Sequence, residues 1–271
     1  MNKITIRPSS LKGFFDCAYR WYRDYISDKP IRSVGFSAHF GSGVHKASEI
    51  YYKECIKHGS WVRPSQELKS VAIDEFRKKC KEQEPRDLDK SKIDEIEKNL
   101  AGSSFQYVSK TEQLNFGKIP LAVEKDYEVK INSTIIDSVK GTLDIVGSDY
   151  VADIKTMSKL RNPKDYIIQQ GVYAFLRQKS GEAVKDLRIH RILLSKNSID
   201  NVSIIDNLDN PFTPIDAVIE KSKSFLELAI KTVNEFEKTG NELLFRGNPE
   251  SLLCNSKYCA YYAECKFKKG F

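Results

Sequence analysis

The hydrophobic and polar positions of the chain change period once, close to residue 119. Before that point, apolar residues recur at the three- and four-residue spacing of amphipathic helices. This spacing predicts helices over 9–26, 38–58, 65–84 and 89–114. Their broad charged faces indicate a solvated cap rather than part of a buried core.

The second part of the chain alternates with the two-residue period of β-strands. This alternation predicts strands over 121–131, 133–146, 150–158, 187–196 and 201–207. A helix over 164–181 crosses between the third and the fourth strand, and a long amphipathic helix over 215–240 follows the last. This order predicts an α/β fold class, in which a small mixed sheet is flanked by helices and preceded by a helical elaboration.

We expect the 271 residues to form a single domain, 1–271, with three parts. Residues 1–118 form the helical N-terminal part, 119–210 the sheet core, and 211–271 the long helix and a cysteine-rich tail. A net charge of +7 favours an anionic partner such as nucleic acid. No signal-peptide or membrane-span pattern occurs, so we expect a cytoplasmic protein without membrane contact.

Acidic side chains interrupt the predicted hairpin over 141–155, GTLDIVGSDYVADIK. A tight turn at its centre places Asp144 directly across from Asp153, with Lys155 on the same face. Two adjacent carboxylates repel each other unless a cation lies between them, and Mg²⁺ and Mn²⁺ prefer such oxygen ligands. Lys155 is then placed to orient a water or to stabilise charge on a phosphate. The pattern indicates metal-assisted phosphodiester hydrolysis.

The alternative is a surface hairpin whose exposed face is simply polar. Four further side chains bear on that choice: His45 early in a helix, Glu124 on the preceding strand, and Gln169 and Tyr173 on one face of a later helix. His45 and Glu124 are candidate metal ligands. Gln169 and Tyr173 are candidates to hold the lysine or a phosphate, with packing of Tyr173 into the core as the alternative.

Taken in order, these residues form a recognisable series. Gly41-x-x-x-His45, Glu124, Gly141-Thr-Leu-Asp144, Asp153-Ile-Lys155 and Gln169-x-x-x-Tyr173 resemble the motifs of the RecB-like branch of the PD-(D/E)XK nucleases. The resemblance runs from about residue 9 to the C-terminus and implies a restriction-endonuclease-like core. The Pro-Asp dipeptide of the superfamily's name is replaced by Leu143-Asp144, as is usual for this branch.

The resemblance also implies a role for each residue of the series. It assigns the metal to His45, Asp144, Asp153 and the carbonyl of Ile154, and it makes Lys155 the catalytic lysine. Glu124, Gln169 and Tyr173 would support the catalytic site and the phosphates of the substrate. The cofactor implied is Mg²⁺ or Mn²⁺.

Three cysteines, Cys254, Cys259 and Cys265, lie close together in the tail. A fourth ligand is needed to complete an iron–sulfur or zinc site, and Cys17 is the candidate. CRISPR-associated adaptation nucleases and AddB-type helicase–nuclease subunits look similar, with one cysteine before the nuclease motifs and three after them. This resemblance implies a structural [4Fe–4S] cluster. Zinc and unligated thiols remain the alternatives.

Aromatic and basic residues interleave around the first cysteine and at the C-terminus. Such residues stack on unpaired bases and follow phosphates, and the candidate DNA contacts are Arg20, Arg23, Lys266, Lys268 and Lys269. We expect a DNA exonuclease acting on single strands or DNA ends, in recombination, repair, phage DNA metabolism or CRISPR-linked processing. Partner proteins of a recombination or CRISPR complex fit this expectation. The alternatives are a non-catalytic iron–sulfur DNA-binding scaffold and a subunit of a helicase–nuclease complex.

Overall fold

A mixed β-sheet lies at the centre of the computed structural model, which describes residues 3–28, 30–31, 34–193, 198–204 and 214–268. Its strands are β1 (Ile4–Ile6), β2 (Ala122–Lys130), β3 (Ile136–Val146), β4 (Tyr150–Met157), β5 (Asp186–Leu193) and β6 (Ser198–Ser203). Strand β3 pairs in parallel with β1 and antiparallel with β2 and β4. Strand β5 lies parallel to β4 and antiparallel to β6. The predicted α/β fold class with a small mixed sheet is confirmed.

Helices cover both faces of this sheet. They are α1 (Pro8–Asp16), α2 (Ala18–Tyr25), α3 (Phe36–His58), α4 (Glu67–Glu82), α5 (Ile93–Val108), α6 (Thr111–Leu114), α7 (Ile167–Lys179) and α8 (Ile215–Thr239). The helix predicted over 9–26 breaks at Cys17, whose backbone is extended. The helix predicted over 89–114 divides into a 3-10 turn, α5 and α6.

The sequence pattern did not predict every boundary of the sheet. Strand β1 has only three residues, too few for a two-residue period to be recognised. It draws the predicted N-terminal part into the sheet. Residues 194–196 and 205–207 of the predicted strands lie outside the described residues. Within the described part of the chain, the search for a helix long and apolar enough to cross a membrane found none.

Two hydrophobic cores lie on opposite sides of the sheet. One is formed with α1, α2, α7 and α8 and includes Leu143, Val172 and Tyr173. The other is formed with α3, α4 and α5, where Val44 and Phe76 are fully buried. The expectation of a solvated helical cap is therefore wrong. These helices carry charge on their outer faces, but their apolar stripes pack on the sheet and on one another.

A buried polar network joins this second core to the sheet. The hydroxyl of Tyr107 lies 2.8 Å from Nδ1 of His190 and 3.2 Å from the hydroxyl of Tyr52. Asn115 donates to the Tyr52 hydroxyl and accepts from Tyr150. Burial lowers the pKa of His190 to about 3, so its ring is neutral. The network ties α3, α5 and the loop after α6 to strands β4 and β5.

The packing of α3 on α4 depends on the absence of a side chain at Gly43. A Cβ there would lie 2.6 Å from the backbone carbonyl oxygen of Ala72. We expect Gly43→Ala to reduce the free energy of unfolding by about 1–3 kcal/mol, because α4 must move away. Urea denaturation followed by circular dichroism measures this change.

Gly102 provides the matched control for that substitution. It is also inside a helix, α5, but a Cβ there has no neighbour within 4 Å. Gly102→Ala is expected to increase the free energy of unfolding by about 0.5–1 kcal/mol through helix propensity alone. Equal effects of the two substitutions would contradict the close approach of the helices.

Candidate active site

The hairpin of β3 and β4 opens where the acidic residues begin. Its paired residues are Ile145 with Ala152 and Val146 with Val151. The same register carried one step further sets Asp144 opposite Asp153, but the ladder has ended there. Instead, the backbone N–H of Ile154 donates to a carboxylate oxygen of Asp144 at 2.7 Å. The two strands therefore diverge at the site and expose polar groups between them.

The turn of this hairpin is held from α7. The buried guanidinium of Arg177 donates to the carbonyls of Gly147, Ser148 and Tyr150 at 2.7–3.1 Å. Sequence reasoning missed this residue, because an arginine near the end of a predicted helix has the pattern of an exposed one. The charge of Arg177 is satisfied by three carbonyls and by Glu182. The arginine therefore holds the hairpin turn in place, and the turn sets the register of β3 with β4.

Glu124 lies on β2 at an irregularity that the sequence did not reveal. The pairing of β2 with β3 skips Glu124 and Asp144, and the backbone of Glu124 has φ of 48°. This left-handed conformation costs a non-glycine residue on the order of 1 kcal/mol or more. On β3, Leu143 faces the first core and Ile145 the second, although residues two apart normally share a face. Leu143 therefore packs in the first core, whereas Ile145 and Ile154 pack in the second.

His45, Glu124 and Asp144 converge at this irregularity. Their ligand atoms all lie within 4.8 Å of one another, as in groups that hold a metal ion. Nδ1 of His45 is 3.4 Å from oxygens of both carboxylates, and Nε2 is 3.1 Å from the Ile154 carbonyl oxygen. Every partner of the ring is an acceptor, so the arrangement favours a cation at this position.

The electrostatics of this group agree with its geometry. Burial opposes a charge on His45, but the carboxylates of Asp144 and Glu124 outweigh burial and raise its pKa well above the usual value. Burial also opposes ionisation of Asp144, yet His45, Lys155 and the Ile154 N–H together lower its pKa. A divalent cation bound by the same atoms would satisfy the same two carboxylates.

Asp153 and Lys155 form an ion pair beside the His45 group. Nζ of Lys155 lies 2.7 Å from a carboxylate oxygen of Asp153, whose side chain is 3 % exposed. Burial and the nearby Asp144 raise the pKa of Asp153 to about 6. Burial opposes the charge of Lys155, but Asp153 and Asp144 raise its pKa, so the ammonium form is favoured. Asp153 therefore contacts the lysine, whereas Glu124 is the residue that joins His45 and Asp144 in the compact three-residue group. The role of Asp153 as a metal ligand stays a prediction.

Gln169 and Tyr173 reach the site from one face of α7, as their spacing predicts. The amide nitrogen of Gln169 donates to Asp153 and to the hydroxyl of Tyr173, both at 3.1 Å. The Tyr173 ring lies against β3 at Gly141, where a Cβ would come within 2.6 Å of it. The glycine of the GTLD stretch therefore makes room for this ring. The ring of Tyr173 is buried in the core, as the packing alternative predicts, and its hydroxyl accepts a hydrogen bond from Gln169. Its role in holding the lysine or a phosphate stays a prediction.

The site opens into a cleft of about 760 Å³ between the sheet and helices α1, α3 and α4. The basic side chains on its lining come from four separate segments: Arg7, Lys46, Lys79 and Lys155. The Tyr166 ring lies 5.8 Å from Nζ of Lys155. Sequence reasoning missed Arg7, Lys46, Lys79 and Tyr166. Single basic residues scattered along the sequence do not indicate which cleft they line.

The sequence profile of the PD-(D/E)XK nuclease superfamily matches residues 5–266 of this chain. The match spans the sheet, the His45 group, the Asp153–Lys155 pair and the cysteine tail. The chain belongs to the PD-(D/E)XK nuclease superfamily. A search of the curated proteins found no match.

One solved structure supports the fold of this nuclease. A crystal structure from Eubacterium rectale, described as that of a candidate exonuclease, aligns with a TM-score of 0.53 and 15% sequence identity. The alignment covers 87% of this chain and 82% of that one. The crystal structure of SSO0001 aligns with a TM-score of 0.35 and 16% identity, over 82% of this chain and 98% of its own.

The four predicted cluster cysteines meet in one cavity of the nuclease. Cys17, from the break between α1 and α2, lines it together with Cys254, Cys259 and Cys265. None of the four is in a disulfide. The sulfur of Cys265 accepts the backbone N–H of Phe267 at 3.4 Å. The fold thus brings the first and last thiols together across more than two hundred residues of sequence.

Most predicted DNA contacts are engaged elsewhere. Arg23 pairs with Glu264 at 3.4 Å and covers the Tyr261 ring, so it joins α2 to the tail. Lys266 approaches Glu242 at 3.6 Å, and Lys268 donates to the carbonyl of Ala263. Arg20 lines a cleft, as described below. Lys269 lies outside the described residues. None of the described four lines the cleft of Lys155.

Binding of Mn²⁺ to the purified nuclease tests the three-residue group. We expect Glu124→Gln and Asp144→Asn each to weaken Mn²⁺ binding by about tenfold or more, since even outer partners of metal ligands are worth about 10- to 100-fold. Isothermal titration calorimetry measures the dissociation constant.

Glu49→Gln is the control for this titration. Glu49 lines the same cleft but pairs with Lys46 and Lys53, outside the three-residue group. Its substitution should leave Mn²⁺ binding nearly unchanged. A loss at Glu49 equal to that at Glu124 would show a diffuse acidic surface rather than a defined site.

Proposed function

We propose that the protein is a Mg²⁺- or Mn²⁺-dependent DNA exonuclease that hydrolyses phosphodiester bonds of single strands or DNA ends. The observation that carries the proposal is the Asp153–Lys155 ion pair, 2.7 Å long, beside the His45–Glu124–Asp144 group in an open cleft. Recombination, repair, phage DNA metabolism and CRISPR-linked processing all use this reaction. Membership of the superfamily and the candidate exonuclease among its structural neighbours support the proposal.

The donor set fits a hard divalent cation. His45, Glu124 and Asp144 would hold it, with the Ile154 carbonyl and, as the family resemblance implies, Asp153 close by. When bound, the cation makes water a better nucleophile and neutralises charge on the phosphate. Carboxylate and carbonyl oxygens predominate in this set, which is typical of Mg²⁺ and Mn²⁺ sites.

The remaining steps of the proposed hydrolysis depend on side chains of the protein itself. In hydrolysis, a water oxygen forms a bond to phosphorus while the bond to the leaving sugar oxygen breaks. The attacking water gives up a proton to solvent, and the leaving oxygen takes up a proton from solvent to become a hydroxyl. The Lys155 ammonium is partly exposed to the cleft, where it can donate to a phosphate oxygen on which charge develops. Gln169 holds Asp153, and Asp153 holds Lys155, so the ammonium is oriented before substrate binds.

We propose that the cysteine cavity holds a [4Fe–4S] cluster as a second cofactor. Four thiols, from Cys17, Cys254, Cys259 and Cys265, line this one cavity, and four thiolates are the ligand set that such a cluster requires. Tetrahedral zinc, which also takes four thiolates, is the alternative. Such a group would fasten α2 to the tail.

Nuclease assays on end-labelled single-stranded and duplex DNA with Mg²⁺ or Mn²⁺ test the activity. We expect progressive shortening of single strands, and Lys155→Ala should reduce the rate by about 100-fold or more because a preorganised charge is removed. Lys140→Ala is the control, since Lys140 lies on neighbouring β3 and pairs with Asp126.

Two outcomes contradict the proposed activity. One is equal degradation by wild type and Lys155→Ala, which points to a contaminant. The other is DNA binding without cleavage in either metal. That result favours the alternative of a non-catalytic iron–sulfur scaffold, or of a subunit that needs partner proteins of a helicase–nuclease or CRISPR complex.

Anaerobic purification tests the cluster separately. We expect a brown protein with about four iron atoms per chain. Cys259→Ala should lose the iron and the colour, whereas Cys80→Ala should retain both, because Cys80 lies on α4 away from the cavity. A colourless protein with stoichiometric zinc would overturn the cluster.

A further inference from the structure

A second cleft, of about 620 Å³, borders the cleft of Lys155. The two share one residue, Arg7, which precedes α1 and is exposed to solvent. From Arg7 the second cleft runs between α2 and the end of α4 to the cysteine tail. Its walls therefore come from the first thirty-four residues, the segment after α4 and the tail.

The chemistry of this second cleft differs from that of the catalytic one. Its charged lining is three arginines, Arg7, Arg20 and Arg86, against one acid, Asp24. Asp24 already accepts the hydroxyl of Tyr261 at 2.8 Å and lies 3.8 Å from Arg20. Its charge is thus partly satisfied within the protein. The cleft presents a net positive surface next to a site that acts on phosphodiesters.

Two tyrosine rings lie on the same lining. Tyr25 is 43 % exposed and Tyr258 is 38 % exposed, although both belong to a residue type that is usually more buried. Exposed aromatic rings between arginines form the pattern on which successive unpaired bases stack while the backbone follows the charges.

We infer that this second cleft is the track along which a single nucleic-acid strand reaches the catalytic site. Arg7 contacts the phosphate next to the reacting one, Arg20 contacts a phosphate further along, and Tyr258 stacks on a base. The inference rests on the proposed nuclease function and adds to it the path and the strandedness of the substrate.

The exposed tyrosine rings should allow the cleft to discriminate a single strand from a duplex. In a duplex the base faces are covered by neighbouring bases, so exposed tyrosine rings gain nothing from it. An acidic protein could also pair with the arginines. Binding of such a protein would not explain why the second cleft meets the cleft of Lys155 and the metal group at Arg7. The continuity through Arg7 favours a substrate strand over a separate partner.

The tail builds one wall of the track. The Tyr261 hydroxyl donates to Asp24 and accepts the backbone N–H of Ile31 at 2.8 Å, which holds the segment after α2 against the tail. Arg20 and Tyr261 line both the track and the cysteine cavity. A group bound by the four cysteines would therefore also position the track.

Fluorescence anisotropy with an oligothymidine of about 16 nucleotides tests the track. The whole protein is used in EDTA, so that no strand is cut. The double variant Arg7→Gln/Arg20→Gln should bind roughly tenfold or more weakly at about 50 mM salt, with the difference closing towards about 1 M. The slope of log K against log salt should decrease by about 1.4, which is about 0.7 for each phosphate that no longer has an arginine partner.

Two further variants separate charge and stacking. Lys57→Gln/Lys231→Gln removes the same charge from α3 and α8, where neither residue lines either cleft, and should leave both the affinity and the slope nearly unchanged. Tyr258→Leu should weaken binding by about fivefold or more with little change in slope, because leucine has no ring on which a base can stack. Circular dichroism confirms that each variant is folded.

Three outcomes would overturn the track. They are wild-type affinity and slope in the arginine variant, an equal loss in the Lys57/Lys231 control, and an equal change in slope with a duplex of the same length. If wild type still degrades DNA in any of these cases, the proposed function stands without the track. If the arginine variant loses affinity as expected but wild type cleaves nothing, the track stands and the proposed function fails.

Discussion

The structure depends on holding two carboxylates, Asp144 and Asp153, where strands β3 and β4 stop pairing. Buried carboxylates so close repel each other and lose hydration, which costs several kcal/mol unless positive groups compensate. Here each acid has its own compensation: His45 and the Ile154 N–H for Asp144, Lys155 and Gln169 for Asp153. The two acids therefore have pKa values displaced in opposite directions, downward for Asp144 and upward for Asp153.

Both cores are needed to maintain that arrangement. Helix α3 brings His45 over the sheet from the second core, where Gly43 allows the backbone of α4 to approach closely. Helix α7 brings Gln169 and Tyr173 from the first core, and its Arg177 closes the hairpin turn. Candidate site residues from three distant segments are thus held in place by apolar packing that takes no part in the proposed chemistry. Loosening either core would displace the site without removing any of its residues.

The cysteine tail contributes to the cleft proposed for the substrate in a similar way, through packing between distant segments. Four thiols from the two ends of the chain line one cavity, and the residues between them, Arg20 and Tyr261, also line the second cleft. A bound group there would restrict the unfolded chain and fasten α2 to the tail. The cofactor proposed for the cavity would then act on DNA only through the shape of the cleft beside it, which is consistent with a structural role.

The sequence by itself determined the α/β class, the hairpin that carries Asp144, Asp153 and Lys155, the helical spacing of Gln169 and Tyr173, and the four cysteines. These follow from local period and residue chemistry, which act over a few neighbouring positions. Only the tertiary structure decided that Glu124 joins His45 and Asp144, since this requires the left-handed backbone at Glu124 and the packing of α3. It also decided that the N-terminal helices are core and that Arg7 links two clefts. Such features depend on contacts between residues far apart in sequence, and no local pattern carries them.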